Sequence, residues 1–307
     1  MKHIFILNPL SGKGNTVKDI TPKIIGACNE LGVPFEFYIS KSVGDSQEFV
    51  KKHVGSTETT RFYACGGDGT INEVLNEVYG KENMEIGVIP AGTGNDFIKS
   101  FSNHENFSDI KAQIAGTAIK MDLIEYNGRL GANVCNIGFD SAVADRIAKL
   151  KTKPFISGQM AYGVGIFQEF FKKMGNYLEV RIDDNEIING QMLLVAMGVG
   201  SYYGGGYCAL PLASHSDETL DLCMVKNITR LEFLSVIDAY KKGKHITDPR
   251  VKKFVTYRKC KTINIKCIED IKLCADGEIT LAREINFKVV PKAVSISLPK
   301  GVERRNK

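Results

Sequence analysis

Residues 66–70 read Gly-Gly-Asp-Gly-Thr, between a strand-like run at 61–65 and a helix-like run at 71–79. Gly66 and Gly67 let the backbone approach a ligand and adopt angles that other residues avoid. Asp68 adds a carboxylate, Gly69 keeps the turn open, and Thr70 adds a hydroxyl. The loop opens a helix whose free amides favour an anion. That combination suits a polyphosphate with a metal ion, and so a kinase. The loop alone does not name the acceptor. A carboxylate beside phosphates is costly unless a cation or a hydrogen-bond network offsets the repulsion. Thr70 can give its hydroxyl to a phosphate or cap the helix.

Two further loops share this character. Asn8-Pro9-Leu10-Ser11-Gly12-Lys13-Gly14 follows the first strand, and its glycines, hydroxyl and lysine could line a phosphate pocket. The GxxxxGK[ST] spacing of a P-loop is absent, and an ordinary strand-to-helix turn has a similar composition. Pro90-Ala91-Gly92-Thr93-Gly94-Asn95-Asp96 repeats the pattern one strand after the Gly-Gly-Asp-Gly loop. There Thr93 and Asn95 offer donors to a nucleotide, and Asn95 or Asp96 can cap a following helix. Late in the chain, Asp276-Gly277-Glu278 can aim carboxylates at a site and is equally a hairpin turn. The five histidines form no visible cluster, and the GxSxG of an acyl-transfer elbow is absent.

Alternating elements must position these loops. Strands are expected over 4–7, 34–39, 61–65 and 85–89, and helices over 17–31, 45–54 and 71–79. This order predicts a doubly wound parallel sheet with helices on both faces. Ligands bind beyond the carboxyl ends of such strands, which is where all three loops fall. After about residue 122 short strands dominate, at 130–137, 177–182, 191–197, 220–225, 262–267, 271–275 and 284–290. Helices are expected over 158–173 and 230–242. The second part reads as a mainly antiparallel β domain. The division is 1–124 for an α/β nucleotide-binding domain and 125–290 for a β-rich domain, with 291–307 returning to the first.

The chain has 307 residues, 43% hydrophobic and 24% charged, which is a globular composition with room for two cores. Eight cysteines with no CxxC pair and no metal-ligand spacing point to a reducing cytosol. The apolar start is too short for a signal peptide, and no run reaches the about 18 residues of a spanning helix. The net charge is only +5, yet ten Lys or Arg lie between Lys241 and Lys266 with Asp248 the sole acid among them. That stretch is either a solvated face or an attraction to anionic lipid headgroups. Nucleic acid is a weaker third option, since no stacking aromatics accompany the charge.

The strings at 66–74 and 90–97 resemble the diacylglycerol kinase catalytic domain family, which also includes sphingosine and ceramide kinases, and most closely its bacterial stand-alone members. The resemblance continues through residues 8–14, Asn136-Ile137-Gly138-Phe139-Asp140, Gly204-Gly205-Gly206, Pro211, 217–221 and Asp276-Gly277-Glu278, nearly the whole chain. It implies an ATP- and Mg2+-dependent lipid kinase, with ATP between the two domains and diacylglycerol converted to phosphatidic acid. ATP would be held by Asn8, Pro9, Leu10, Ser11, Gly12, Ser40, Gly67, Asp68, Gly69, Thr70, Ile71, Asn72, Glu73 and Thr93. Asp276 matches the family's general base, with Glu278 and Asp68 supporting a metal and charge network.

The segment 214–221 matches a structural magnesium loop, with Asp217 and the carbonyls of Ser214 and Thr219 as ligands. Glu218 stands where the family usually has Gly, and a position needing positive φ resists Glu. Residues 155–171 and the 202–207 loop are candidates for an apolar acceptor groove. The implied partners are a lipid substrate and anionic phospholipid at a membrane surface, reached from the cytoplasm. Homodimer or monomer stays open. The rivals are a kinase for NAD, a sphingoid or another lipid, and a nonenzymatic nucleotide-binding module.

Overall fold

Strands β1 (Lys2–Leu7) and β3 (Thr60–Gly66) are buried along almost their whole length, so both faces of their sheet are covered. The computed structural model describes residues 1–12, 14–53, 57–151, 175–276 and 278–305. The expected helix over 158–173, the groove candidate 155–171, Lys13 and Gly277 lie outside these residues. The described chain forms two compact units, Met1–Leu123 with Val290–Lys307, and Ile124–Val289.

The first unit runs β1, α1 (Thr16–Leu31), β2 (Phe35–Ile39), α2 (Asp45–Lys51), β3, α3 (Asp68–Val78) and β4 (Met84–Pro90). After β4 come β5 (Phe101–Ser102), α4 (Ile110–Ile114) and β6 (Thr117–Tyr126). β1 pairs in parallel with both β2 and β3, and β3 with β4. Phe5, Leu7, Tyr63 and Cys65 meet Ile24, Ala27 and Cys28 of α1 and Ile110 of α4. The alternate residues Ile4, Ile6, Phe62 and Ala64 are also fully buried, because side chains alternate across a strand. On their side α2 and α3 pack together. This is the doubly wound arrangement expected from the sequence.

The second unit is mainly antiparallel. Its strands are β7 (Arg129–Gly131), β8 (Val134–Gly138), β9 (Asn176–Ile182), β10 (Glu186–Gly198), the short β11 (Tyr202–Tyr203) and β12 (Tyr207–Cys208), β13 (Leu220–Lys226), β14 (Val255–Cys260) and β15 (Thr262–Ala275). Strand β16 (Glu278–Leu298) begins in this unit and ends in the first, where β17 (Glu303–Arg304) pairs β5. Helices α5 (Phe139–Lys151) and α6 (Arg230–Lys241) cover one sheet face through Phe139, Val143, Phe233 and Val236. A short α7 (Pro249–Lys252) comes after α6.

Three expectations change. The strand over 130–137 is two strands, because the Asn133 carbonyl accepts the Val199 and Gly200 amides and breaks the run. The strands over 262–267 and 271–275 are one, β15, whose register shifts between Lys266 and Ile271. Helix α3 starts at Asp68 with Gly67 as its N-cap residue. Asp68, Gly69 and Thr70 are therefore its first turn, and Thr70 is not the cap.

Candidate functional site

The three glycine loops of the first unit close on one another through the backbone. Ala91 and Gly92 donate their amides to the Gly66 carbonyl at 2.8 and 3.2 Å. A Cβ on Gly92 would stand 2.5 Å from Gly67 Cα, and one on Gly12 would stand 2.5 Å from the Ala91 carbonyl oxygen. A Cβ on Gly66 would strike Thr70 Oγ1. No side chain fits at these crossings. Asn8 Nδ2 donates to Thr70 Oγ1 at 3.0 Å, joining the first loop to the helix start. The result is a concentration of amides and hydroxyls at the open end of α3, the geometry that suits a phosphate.

Asp68 ties the second loop to the third. Its carboxylate accepts the amides of Asp96 at 3.1 Å and Phe97 at 3.0 Å. Burial pushes its pKa up and the nearby Asp96 adds to this, while the two amides and Lys99 oppose it. Lys99 pairs with Asp96 at 2.7 Å. Asp68 therefore serves as a loop tether, and its repulsion is offset by amides. Asn95, expected to offer donors to a nucleotide, spends its carboxamide on the Gly92 amide and carbonyl, each at 2.9 Å. The expected helix after this loop is a single 3₁₀ turn, Ile98–Ser100, with no side-chain cap.

The remaining candidates separate by exposure and use. Leu10 is largely exposed, and its amide bonds Asn8 Oδ1 in an Asx turn. The Ser11 carbonyl accepts the Thr16 hydroxyl. Pro9 is half-buried, and Gly12 holds φ +62°. Thr93 is exposed, at the rim of the loop cluster. Ser40 is buried just past β2, its amide and hydroxyl on the Leu7 carbonyl. Ile71 is core, Asn72 bonds Asn76, and Glu73 accepts the Gly44 amide at 2.9 Å. These last three lie on the first two turns of α3.

In the second unit, Asp276 stands at the tip of the β15–β16 hairpin in the left-handed region, φ +47°. A Cβ on Gly131 would lie 2.8 Å from Asp276 Oδ2, and that same position faces Tyr126 and Ile124. The Asp276 charge helps hold the Tyr126 phenol well above its ordinary range, after burial as the first cause. Arg129 pairs with Glu278 at 2.6 Å. Sequence patterns alone do not single out Gly131, Arg129 or Tyr126. The Asn127-Gly128 turn between β6 and β7, both residues at positive φ, is the signal that could have found them.

The loop at 214–221 does not fit a divalent ion. Glu218 does take the left-handed conformation, φ +58°, so the backbone turn survives the loss of glycine. The carboxylates, however, are already engaged. Asp217 Oδ1 accepts the Thr219 hydroxyl at 2.8 Å, and Asp217 Oδ2 lies 2.7 Å from Lys259 Nζ. Ser214 shares its hydroxyl with Ser216 at 3.3 Å. Among the described residues no group of three or more His, Cys, Asp or Glu side chains is arranged to hold a metal.

The basic stretch is less charged in space than in sequence. Lys242 pairs with Asp238, Arg250 with Asp248, Arg258 with Glu186, Lys259 with Asp217 and Asp221, and Lys266 with Glu284. Lys244, Lys252 and Lys253 remain exposed near α6, whose Leu231 and Leu234 are also exposed. No helix among the described residues is long and apolar enough to cross a membrane.

Comparison with known proteins covers both units. Residues 2–126 match the diacylglycerol kinase catalytic domain, and residues 133–298 match the YegS C-terminal NAD kinase beta sandwich-like domain. A diacylglycerol kinase of Staphylococcus epidermidis is 29% identical over 97% of this chain and 92% of its own length. One of Mycobacterium tuberculosis is 27% identical over 96% and 94%. Among solved structures, a diacylglycerol kinase from Bacillus anthracis aligns with a TM-score of 0.68 at 21% identity, over 96% of each chain. An NAD kinase from Archaeoglobus fulgidus in complex with ATP aligns with a TM-score of 0.53 at 13% identity, over 98% and 94%. At these identities the solved structures speak to the fold alone.

Proposed function

Since this chain belongs to the diacylglycerol kinase catalytic domain family, with its YegS-type C-terminal domain, we propose that it phosphorylates the hydroxyl of diacylglycerol to give phosphatidic acid. The family makes the chain a phosphotransferase of lipid-kinase type, with ATP as the phosphoryl donor. The observation that carries the reading is the backbone junction of the three glycine loops at the start of α3. Amides there meet the phosphates of Mg-ATP, and Asn8 holds the Thr70 hydroxyl at the same place. Catalysis of phosphoryl transfer is mostly positioning and charge stabilisation, which rigid amides supply without reorganisation.

Asp276 then takes the proton from the lipid hydroxyl as the oxygen attacks the γ-phosphorus, the bond to the bridging oxygen breaks and ADP leaves. Gly131 leaves room for its carboxylate, and Arg129 holds Glu278 beside it. The exposed Lys244, Lys252 and Lys253 with Leu231 and Leu234 form the face that meets anionic lipid, the lysines by charge and the leucines by insertion. Reversing those three lysines to glutamate should reduce sedimentation with anionic vesicles in low salt; unchanged sedimentation overturns the docking face.

The test of the reaction is transfer of labelled γ-phosphate from Mg-ATP to diacylglycerol in mixed micelles, with NAD and sphingosine in parallel. Product from diacylglycerol alone, lost in Asp276→Asn, supports the substrate and the base. Product from NAD without lipid overturns the acceptor.

A further inference from the structure

Three segments of the second unit converge on one ammonium group. Lys259 Nζ lies 2.7 Å from Asp217 Oδ2, 2.8 Å from Asp221 Oδ2 and 3.2 Å from the Leu212 carbonyl. An ammonium has three hydrogens, and each has an acceptor here. The other carboxylate oxygens are also used, Asp217 Oδ1 by Thr219 and Asp221 Oδ1 by the Tyr257 hydroxyl at 2.7 Å.

The strand register produces this arrangement. Asp221 on β13 and Lys259 on β14 are directly opposite in the antiparallel ladder, so their side chains share a face. Asp221 is fully buried and needs a counter-charge. Burial raises its pKa, and Lys259 with Tyr257 works against that rise. A divalent ion needs six or so oxygens at about 2.0–2.6 Å. Here all four carboxylate oxygens of Asp217 and Asp221 already accept hydrogen bonds, and a fixed positive charge stands between them.

We propose that Lys259 is the built-in cation of the 214–221 loop, and that it holds Leu212, Asp217 and Asp221 together in place of a divalent metal. The ammonium is covalently attached and does not exchange with solvent. The loop is then indifferent to chelators. This reading does not depend on which acceptor the protein phosphorylates.

The experiment uses the full chain without nucleotide. Mn2+ serves as the probe by electron paramagnetic resonance, and thermal unfolding is compared in EDTA and in millimolar Mg2+. Wild type is expected to show no Mn2+ site that Asp217→Asn removes, and the same Tm in both media. Lys259→Met should lower Tm by about 5 °C or more, because it leaves a buried carboxylate without its cation. A wild-type Mn2+ site lost in Asp217→Asn overturns the proposal. So does a Lys259→Met variant as stable as wild type. Should that variant fail to fold, the wild-type Mn2+ measurement decides alone.

Discussion

In the first unit, loops 66–70 and 90–96 meet backbone to backbone, with Gly92 so close to Gly67 that a Cβ would stand 2.5 Å from its Cα. In the second unit, loop 214–221 meets β14 side chain to side chain, through Lys259 and two carboxylates. The first junction depends on the absence of side chains, so nearly any substitution must move a backbone. The second depends on a balance of charges, which a lysine of the chain itself supplies. Rigid amides suit a ligand that must be held identically at every turnover. A charge cluster suits a joint that only has to stay closed. The Asp276 tip combines the two, a side chain whose room is made by Gly131.

The largest break is expected at that tip. Asp276→Asn should cut phosphoryl transfer by about 10³-fold or more while circular dichroism and ATP binding stay unchanged. A loss below tenfold would remove Asp276 from the chemistry. Gly92→Ala comes next: it forces two backbones apart and should lower kcat/KM for ATP by about 10²-fold. If the effect lies in Tm alone, the loop junction is structural and does not bind phosphate. Gly131→Ala should be milder, about tenfold in kcat with KM for ATP unchanged, because the clash falls on the end of a side chain.

The smallest effect is one of pH. Asp140 hydrogen-bonds the Tyr203 hydroxyl, and burial raises its pKa to about 6 despite that bond. The folded state therefore favours the protonated acid. The stability it contributes is complete below the unfolded pKa near 4 and is lost as pH rises through about 6. Asp140→Asn should be more stable than wild type at pH 7 and lose that advantage at pH 4. His3 and His245, which burial keeps neutral down to about pH 4, act in the opposite direction. The informative quantity is thus the Tm difference between variant and wild type at each pH, about 5 °C at neutrality. A flat difference would mean that Asp140 does not titrate in this range.

Much of the first unit was legible because its signals are local. Apolar runs of five or six residues, glycines at strand ends and the 3.6-residue spacing of 71–78 each concern one segment. The second unit resisted at particular places. Strand β14 lies inside a basic stretch, and Arg258 and Lys259 disguise it until Glu186, Asp217 and Asp221 are seen to neutralise them. The break at Ala132 and Asn133 is made by amides more than sixty residues away. Gly131 carries no signal of its own in the sequence, because the carboxylate it accommodates belongs to Asp276.

The sequence by itself determined the class of chemistry, the alternation that builds the parallel sheet, and the glycines where chains must cross. These are requirements of the local backbone, and a residue without Cβ announces them wherever it stands. Only the tertiary structure decided which charges remain available. Ten basic residues in one stretch became five paired and five others, and three of the five, Arg258, Lys259 and Lys266, find partners distant in sequence. The same register set Lys259 opposite Asp221, and so gave the acidic loop a cation from within the chain.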